Sequence, residues 1–422
     1  MFDLVKLSFG VVAGAGALVA LVVAYRRQRV DEDGTLRETT RLHTERFTTA
    51  VGQLGNDSAA VRLGGVHALA GLADDAPTRE LRQTCIDVLC AYLRLPYTAE
   101  PDLPAADAEA RHAYLALREV RHTVIRLIRD HLRLPFEHEH SWQGHDFDFT
   151  GGTFDGRDFS DAVFSGCTVS FSGVQFASGT VSFSGVAFTD GDVDFSEARF
   201  TGGTVDFTNS GFTGGTVDFT LAEFTAGTVD FTNAGFTAGT VDFHDTRFTA
   251  GTVGFRGAQF ADGTVGFVDA RFTGGTADFS TARVAGGTVD FTLAEFADGT
   301  ADFSRAWFAG GTVDFHRAGF TGGTVSFRNT LLTDGIVGFR NAGISGGSVH
   351  FNGAGFAGGT VDFSGAGFTG DSRVDFGGAT FSGGRVDLRG ANGVPSAGVL
   401  PREGEPVPAG LSLPPAWYPA GS

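Results

Sequence analysis

Thr-Val-Asp-Phe-Thr-Asn-Ser-Gly-Phe-Thr-Gly-Gly, residues 204–215, recurs with few changes between Phe164 and Leu388. Phenylalanine returns at alternating spacings of seven and five residues, as at Phe195, Phe200, Phe207, Phe212, Phe219 and Phe224. Just upstream, Phe149, Phe154, Phe159 and Phe164 stand five apart, so the seven-five unit reads as two pentads with two residues inserted. A period this strict predicts a solenoid, in which each unit buries its apolar face only by stacking on its neighbours.

The residues two before each phenylalanine alternate in kind. Spacings of seven carry Val205, Val217 and Val229, whereas spacings of five carry Ser210, Ala222 and Ala234. This is strand alternation with two inward positions per side. The inserted Gly215-Thr216 is expected to form a corner, because glycine takes backbone angles that other residues avoid. If the solenoid has four sides, a coil holds two units, or 24 residues; the alternative, a twelve-residue coil, is too narrow for two phenylalanines and a valine. Val284, Leu332 and Ile344 occupy phenylalanine positions, so the interior demands apolarity rather than aromaticity, and the rings are core rather than a cofactor box. Phe255 is expected to point inward and Trp307 outward. The aspartate before each seven-type phenylalanine should also face out. Asp194, Asp218 and Asp242 then stack in one row and Asp206 and Asp230 in another, about 4.8 Å apart. These five aspartates and Trp307 are the candidate interaction surface.

Asp161-Ala162-Val163-Phe164 and Asn233-Ala234-Gly235-Phe236 resemble the motif of the pentapeptide-repeat family: Ala, then Asp or Asn, then Leu or Phe, then two freer residues. The resemblance implies a mainly β fold, a right-handed four-sided β-helix with one pentad per side, of about ten coils between Phe147 and Leu388. The two-residue insertions depart from the family pattern. The family includes quinolone-resistance proteins held to mimic double-stranded DNA, which implies an alternative role as a modulator of a type II topoisomerase.

The rest of the chain divides by composition. Leu7 to Tyr25 carries no charge and is followed by Arg26, Arg27 and Arg29. This predicts a single-pass transmembrane anchor within residues 1–30, at the cell membrane, with the C-terminal bulk cytoplasmic. Residues 31–140 show helical periodicity, giving four helices over Leu36–Leu54, Ala59–Ala73, Arg79–Leu93 and Ala105–Leu134. Arg46-Phe47, Val61-Arg62-Leu63-Gly64-Gly65 and Asp87-Val88-Leu89-Cys90 resemble the helical region that precedes such repeats in a group of bacterial membrane-anchored proteins. The solenoid is assigned to 141–390 and a proline-rich tail to 391–422, where proline density opposes a continued sheet ladder. Trp417-Tyr418 is read as a docking point or as a lid on the last coil.

Among 422 residues there are 63 Gly, 42 Phe and a formal net charge of −18. From Asp146 to Arg389 there are 28 acidic and 13 basic residues, so the repeats hold most of the negative charge. Arg111, Arg118, Arg121, Arg126, Arg129 and Arg133 make the fourth helix basic, suited to anionic lipid, to nucleic acid or to the acidic solenoid. Without aromatic interleaving or a known motif, nucleic acid is not the expected partner. His138, His140 and His145 lie in a polar linker without a metal-binding helical spacing. Cys85, Cys90 and Cys167 show neither disulfide nor metal spacing. No nucleophile elbow, phosphate loop or His-Glu-x-x-His helix occurs. The expectation is a non-enzymatic scaffold without cofactor or metal, bound to a protein partner and to the membrane through its N-terminal helix, and compatible with a homo-oligomer.

Overall fold

The computed structural model describes residues 25–26, 38–100, 107–393, 407 and 409–418. The chain forms two compact units, 1–88 and 89–422. Four helices come first: α1 over 38–54, α2 Ala59–Asp74, α3 Arg79–Arg94 and α4 Ala108–Leu132. In the first unit, α1 and α2 pack backbone to backbone at Gly65, where a Cβ would lie 2.6 Å from the Leu54 amide nitrogen. His43 Nε2 reaches the Leu72 carbonyl at 3.0 Å.

The expected transmembrane helix and single-pass membrane location need correction. No helix among the described residues is long and apolar enough to cross a membrane. Helix α4 has the length, at 25 residues, but carries arginines throughout. The stretch Leu7–Tyr25 lies outside the described residues except for Tyr25.

In the second unit the chain winds into a parallel β-solenoid with four sides. The four sheets contain 12, 11, 10 and 10 strands, and throughout the repeats each strand pairs with the strand four later in sequence. Side one holds strands such as Thr216–Asp218, side two Glu223–Phe224, side three Thr204–Asp206 and side four Gly211–Phe212. Val205 pairs with Val229 and Phe200 with Phe224, so a regular coil holds 24 residues. The uninserted pentads shorten the first coil, where Phe147 pairs with Val169, and one extra residue lengthens the last, where Thr360 pairs with Arg385.

The interior is made of aromatic stacks. Phe195, Phe219 and Phe243 follow one another with ring centroids 4.8 and 4.6 Å apart and nearly parallel planes. Neighbouring stacks meet edge to face, as Phe195 meets Phe207 at 90°. Both arrangements suit the ring quadrupole. Val284, Leu332 and Ile344 are as fully buried as the rings they replace. Where serine or threonine enters the small inward column, its hydroxyl bonds a carbonyl of the coil before: Ser210 to Phe183 at 2.7 Å and Thr246 to Phe219 at 2.9 Å. A buried hydroxyl therefore leaves no polar group unpaired.

Gly215 takes the left-handed backbone expected of the inserted corner, at φ 71°, but the most regular left-handed position lies elsewhere. The left-handed residue of the recurring turn sits two after each seven-type phenylalanine, at Asn209, Leu221, Asn233, Thr281 and Leu293, with φ between 58° and 62°. The inserted glycines mainly answer to space. A Cβ on Gly227 would lie 2.7 Å from Phe200 Cβ, and one on Gly287 would lie 2.2 Å from the Gly263 carbonyl oxygen.

Both ends of the stack are covered. Helix α4 spans the first coil, with Arg121 donating to the Thr153 carbonyl at 2.8 Å, Arg133 to that of Ser160 at 2.7 Å, and Arg129 paired with Asp158. Beneath them Asp155, 6% exposed, accepts from Tyr97 at 2.6 Å and Tyr114 at 2.7 Å. Its other oxygen lies 3.5 Å from His122 Nε2. Burial works against the Asp155 charge, but His122, Tyr97 and Tyr114 outweigh it and hold its pKa well below the usual carboxylate range. At the far end the tail continues the ladder despite its prolines, with Val386 pairing Leu411 and Asp387 pairing Ser412. Trp417 then turns inward, 5.6 Å from the Phe368 ring, and donates to the Gly393 carbonyl at 3.2 Å.

Replacing Leu221 by asparagine, which stands at this turn position in the preceding and following units, should stabilise the solenoid by about 1 kcal/mol, read as a higher denaturation midpoint. Asp155→Ala should cost about 3 kcal/mol by stranding the buried Tyr114 hydroxyl and the half-buried one of Tyr97. Because the folded pKa of Asp155 is depressed, its contribution is complete above the ordinary carboxylate range. It is lost as pH falls through that range towards the folded pKa. The gap between Asp155→Ala and the parent chain should therefore narrow in acid, as followed by denaturant melts at several pH values.

Candidate interaction surface

With the interior filled by buried side chains, the solenoid presents its outward rows to solvent. On side one the row runs Asp194, Asp218, Asp242, Gly266, Asp290, Asp314, Gly338, Asp362. On side three it runs Asp206, Asp230, Gly254, Asp278, Asp302, Ser326, His350. The predicted stacking of Asp194 with Asp218 and Asp242, and of Asp206 with Asp230, is thus the register observed.

These carboxylates are half-buried turn caps. Asp194 Oδ1 accepts from the Ser196 amide at 2.7 Å, Asp206 from Thr208 at 2.8 Å, Asp218 from Thr220 at 2.7 Å, Asp230 from Thr232 at 2.9 Å and Asp242 from His244 at 3.0 Å. Aspartate is selected here because its side chain satisfies the backbone donor two residues on. Stacking the charges has a cost: burial first, then Asp218 beneath it, pushes the pKa of Asp242 up, and burial with Asp290 does the same for Asp314. Row breaks relieve it. A Cβ on Gly338 would lie 2.6 Å from Asp314 Oδ1, so the carboxylate leans into space that a larger residue would fill. Arg340 then bridges the gap to Asp362 at 2.6 Å.

Side two sets arginine beside each glutamate, although Arg247 and Arg271 adjoin. Glu223 lies 3.9 Å from Arg199 below and 3.1 Å from Arg247 above, and Arg271 is 3.6 Å from Glu295. Side four carries Arg283, Trp307 and Leu331 in register on successive coils. Trp307 is 37% exposed and Leu331 43%. The Arg283 guanidinium lies 4.2 Å from the centroid of the Trp307 ring, whose Nε1 donates to Thr333 Oγ1 at 3.1 Å. Arg283 and Leu331 were overlooked beside Trp307 in the sequence; the 24-residue register alone would have placed them.

The basic residues of α4 do not form a free surface. Arg118, Arg121, Arg129 and Arg133 all engage the first coil, while Arg111 pairs with Glu100 at 3.1 Å and Arg126 lies 3.7 Å from Asp130. In the histidine-containing linker, Trp142 stacks on His131 at 4.1 Å and Gln143 Nε2 donates to the Leu132 and Leu134 carbonyls at the end of α4. Among the described residues no cluster of His, Cys, Asp or Glu is arranged to hold a metal ion. The three cysteines are free and buried, and burial pushes the thiols of Cys85 and Cys167 up to about 11 and about 12. No family model, curated protein or solved structure matches the chain.

Asp242→Ala should lose about 1 kcal/mol with the turn cap, whereas Asp242→Asn keeps an acceptor for the His244 amide and sheds the repelling charge. Since the folded pKa of Asp242 is raised, ionisation disfavours the fold, and stability is lost as pH rises through the carboxylate range. Asp242→Asn should accordingly match or exceed the parent at pH 7, and that advantage should shrink towards pH 4. Paired denaturation curves at the two pH values check it.

Proposed function

We propose that this chain is a non-enzymatic scaffold of the pentapeptide-repeat type that binds a protein partner through an outward face of its solenoid. The reading is supported above all by the row Arg283, Trp307, Leu331 on side four. A single exposed aromatic is ordinary on a protein surface. Here an aromatic and an aliphatic side chain stand on adjacent coils, and stacking by Arg283 together with the bond to Thr333 holds the indole in one orientation. Preorganisation of this kind lowers the entropic cost of association, and Trp and Arg are the residues that most often dominate interface energy. Ile336, 49% exposed on the neighbouring side, extends the apolar surface.

The acidic rows support the alternative, a DNA-mimicking modulator of a type II topoisomerase, less well. Their runs are interrupted at Gly254, Gly266, Ser326, Gly338 and His350, and each cap aspartate named above spends one oxygen on its own turn.

Placing a photo-crosslinking residue at Leu331 in the full chain, in cells that make it, tests the proposal against the same residue at Arg247 on the opposite side. Crosslinking from position 331 should capture a protein that position 247 does not. Trp307→Ala should reduce that capture about tenfold or more while leaving the circular dichroism spectrum unchanged. Capture that survives Trp307→Ala, or is equal from both positions, would sink the reading.

A further inference from the structure

The corner between sides three and four holds a hollow lined by Arg256, Ser280, Asp302, Ser304, Arg305 and Arg328. We infer that it binds a tetrahedral oxyanion of the phosphate or sulfate class, gripped by Arg256 and Arg328. This goes beyond the protein-scaffold reading and does not depend on it.

The argument begins with register. Arg256, Ser280, Ser304 and Arg328 each follow the seven-type phenylalanine of successive coils. The two arginines are therefore separated by three coil steps, about 14 Å along the stack, with two serine hydroxyls between them. Arg305 enters one residue further along the same turn, at φ 60°. Guanidinium arms at either end, over short serine side chains of which Ser304 already donates its hydroxyl to Asp302 at 2.5 Å, define a hollow whose donors are chiefly the arginines.

Sequence choice at this corner points the same way. In the two coils between the arginines serine follows the phenylalanine, and aspartate precedes it and caps the turn: Asp278 accepts from the Ser280 amide at 2.8 Å and Asp302 from that of Ser304 at 2.9 Å. Where arginine follows, the cap is absent, since Gly254 precedes Phe255 and Ser326 precedes Phe327. Those coils give up a stabilising cap and, with it, the nearest carboxylate. Arg340 likewise follows Gly338-Phe339, yet it is neutralised by Asp362 at 2.6 Å. Among the described residues, Arg256, Arg305 and Arg328 form no ion pair, although the chain carries a net charge of −18. Two carboxylates stand near. Asp302 Oδ1 is held by both the amide and the hydroxyl of Ser304, at 2.9 and 2.5 Å, and Asp278 caps Ser280 one coil below. Three guanidinium groups against two carboxylates leave the hollow positive. His350, one coil beyond Ser326, adds little charge at neutral pH, because burial and then Arg328 and Arg373 push its pKa down. The guanidinium fork presents paired donors that match two oxygens of a tetrahedral anion.

Isothermal titration of the full chain with inorganic phosphate, with sodium chloride at matched ionic strength as reference, tests the site. A parallel titration with phenyl phosphate separates a free ion from a phosphoryl group carried by a larger molecule. Saturable binding at one site per chain is expected with whichever of the two the hollow serves. Arg328→Gln and Arg256→Gln should each weaken it about tenfold or more. Arg317→Gln removes the same charge at the diagonally opposite corner and should change affinity by no more than about twofold. Absence of binding beyond the chloride reference with both probes overturns the proposal. So does equal weakening by Arg317→Gln, which would reduce the effect to general electrostatics.

Discussion

Parallel in-register stacking governs this molecule. Each residue has its equivalent about 4.8 Å above and below, so any preference of a side chain for its own kind, or any aversion to it, is repeated at every coil. Phenylalanine profits from this rule: Phe207, Phe231, Phe255 and Phe279 stack at 4.8, 4.9 and 4.7 Å. Carboxylates suffer from it, and the outside of the solenoid is organised around that penalty. Side two gives each glutamate an arginine neighbour, whereas sides one and three interrupt aspartate with glycine, serine or histidine, and no run of aspartates in the named rows exceeds three. Aspartate persists despite the repulsion because its oxygen caps the turn that follows, a local bond set against a long-range cost.

The turns show a second balance. A left-handed residue is needed once per unit, and asparagine, leucine, threonine and arginine all serve, because the position faces solvent and the surrounding ladder over-determines it. Many of the inserted glycines, such as Gly227 and Gly287, stand where the next coil comes too near for a Cβ, whereas Gly211 and Gly235 face open space. This explains a glycine-rich sequence that is nonetheless densely hydrogen-bonded from coil to coil.

Much of the fold was legible because a period is a geometric statement. Spacings of seven and five, with valine two before one phenylalanine and a small residue two before the other, specify short sides and the inward set, and the resemblance to pentapeptide repeats supplied the count of four. The same period places Asp194 over Asp218 and puts Trp307 outside. What stayed hidden depends on contacts between distant segments. Asp155 meets Tyr97 and Tyr114 across 58 and 41 residues, and no local pattern foretells that convergence. The arginines of α4 illustrate the converse: their abundance was plain, but their engagement with the first coil appears only once helix and coil are packed. Aspartate's capping role was missed because alternation predicts direction, outward, and says nothing of a bond back to the backbone. The proline-rich tail was read as unable to extend a sheet, yet Leu411 and Ser412 lie in a short stretch free of proline and pair with the final strand of side one.

Covering the two ends of the stack has a consequence for the molecule's solution behaviour. A solenoid of identical rungs offers, at each open end, unpaired amides and carbonyls in register with the opposite end of another copy, which is the geometry of a growing fibril. Here α4 occupies one terminus of the ladder, and the Leu411–Ser412 strand with Trp417 occupies the other. Residues that contribute little to the repeat itself thus withhold part of each terminus, side one above all, from head-to-tail pairing.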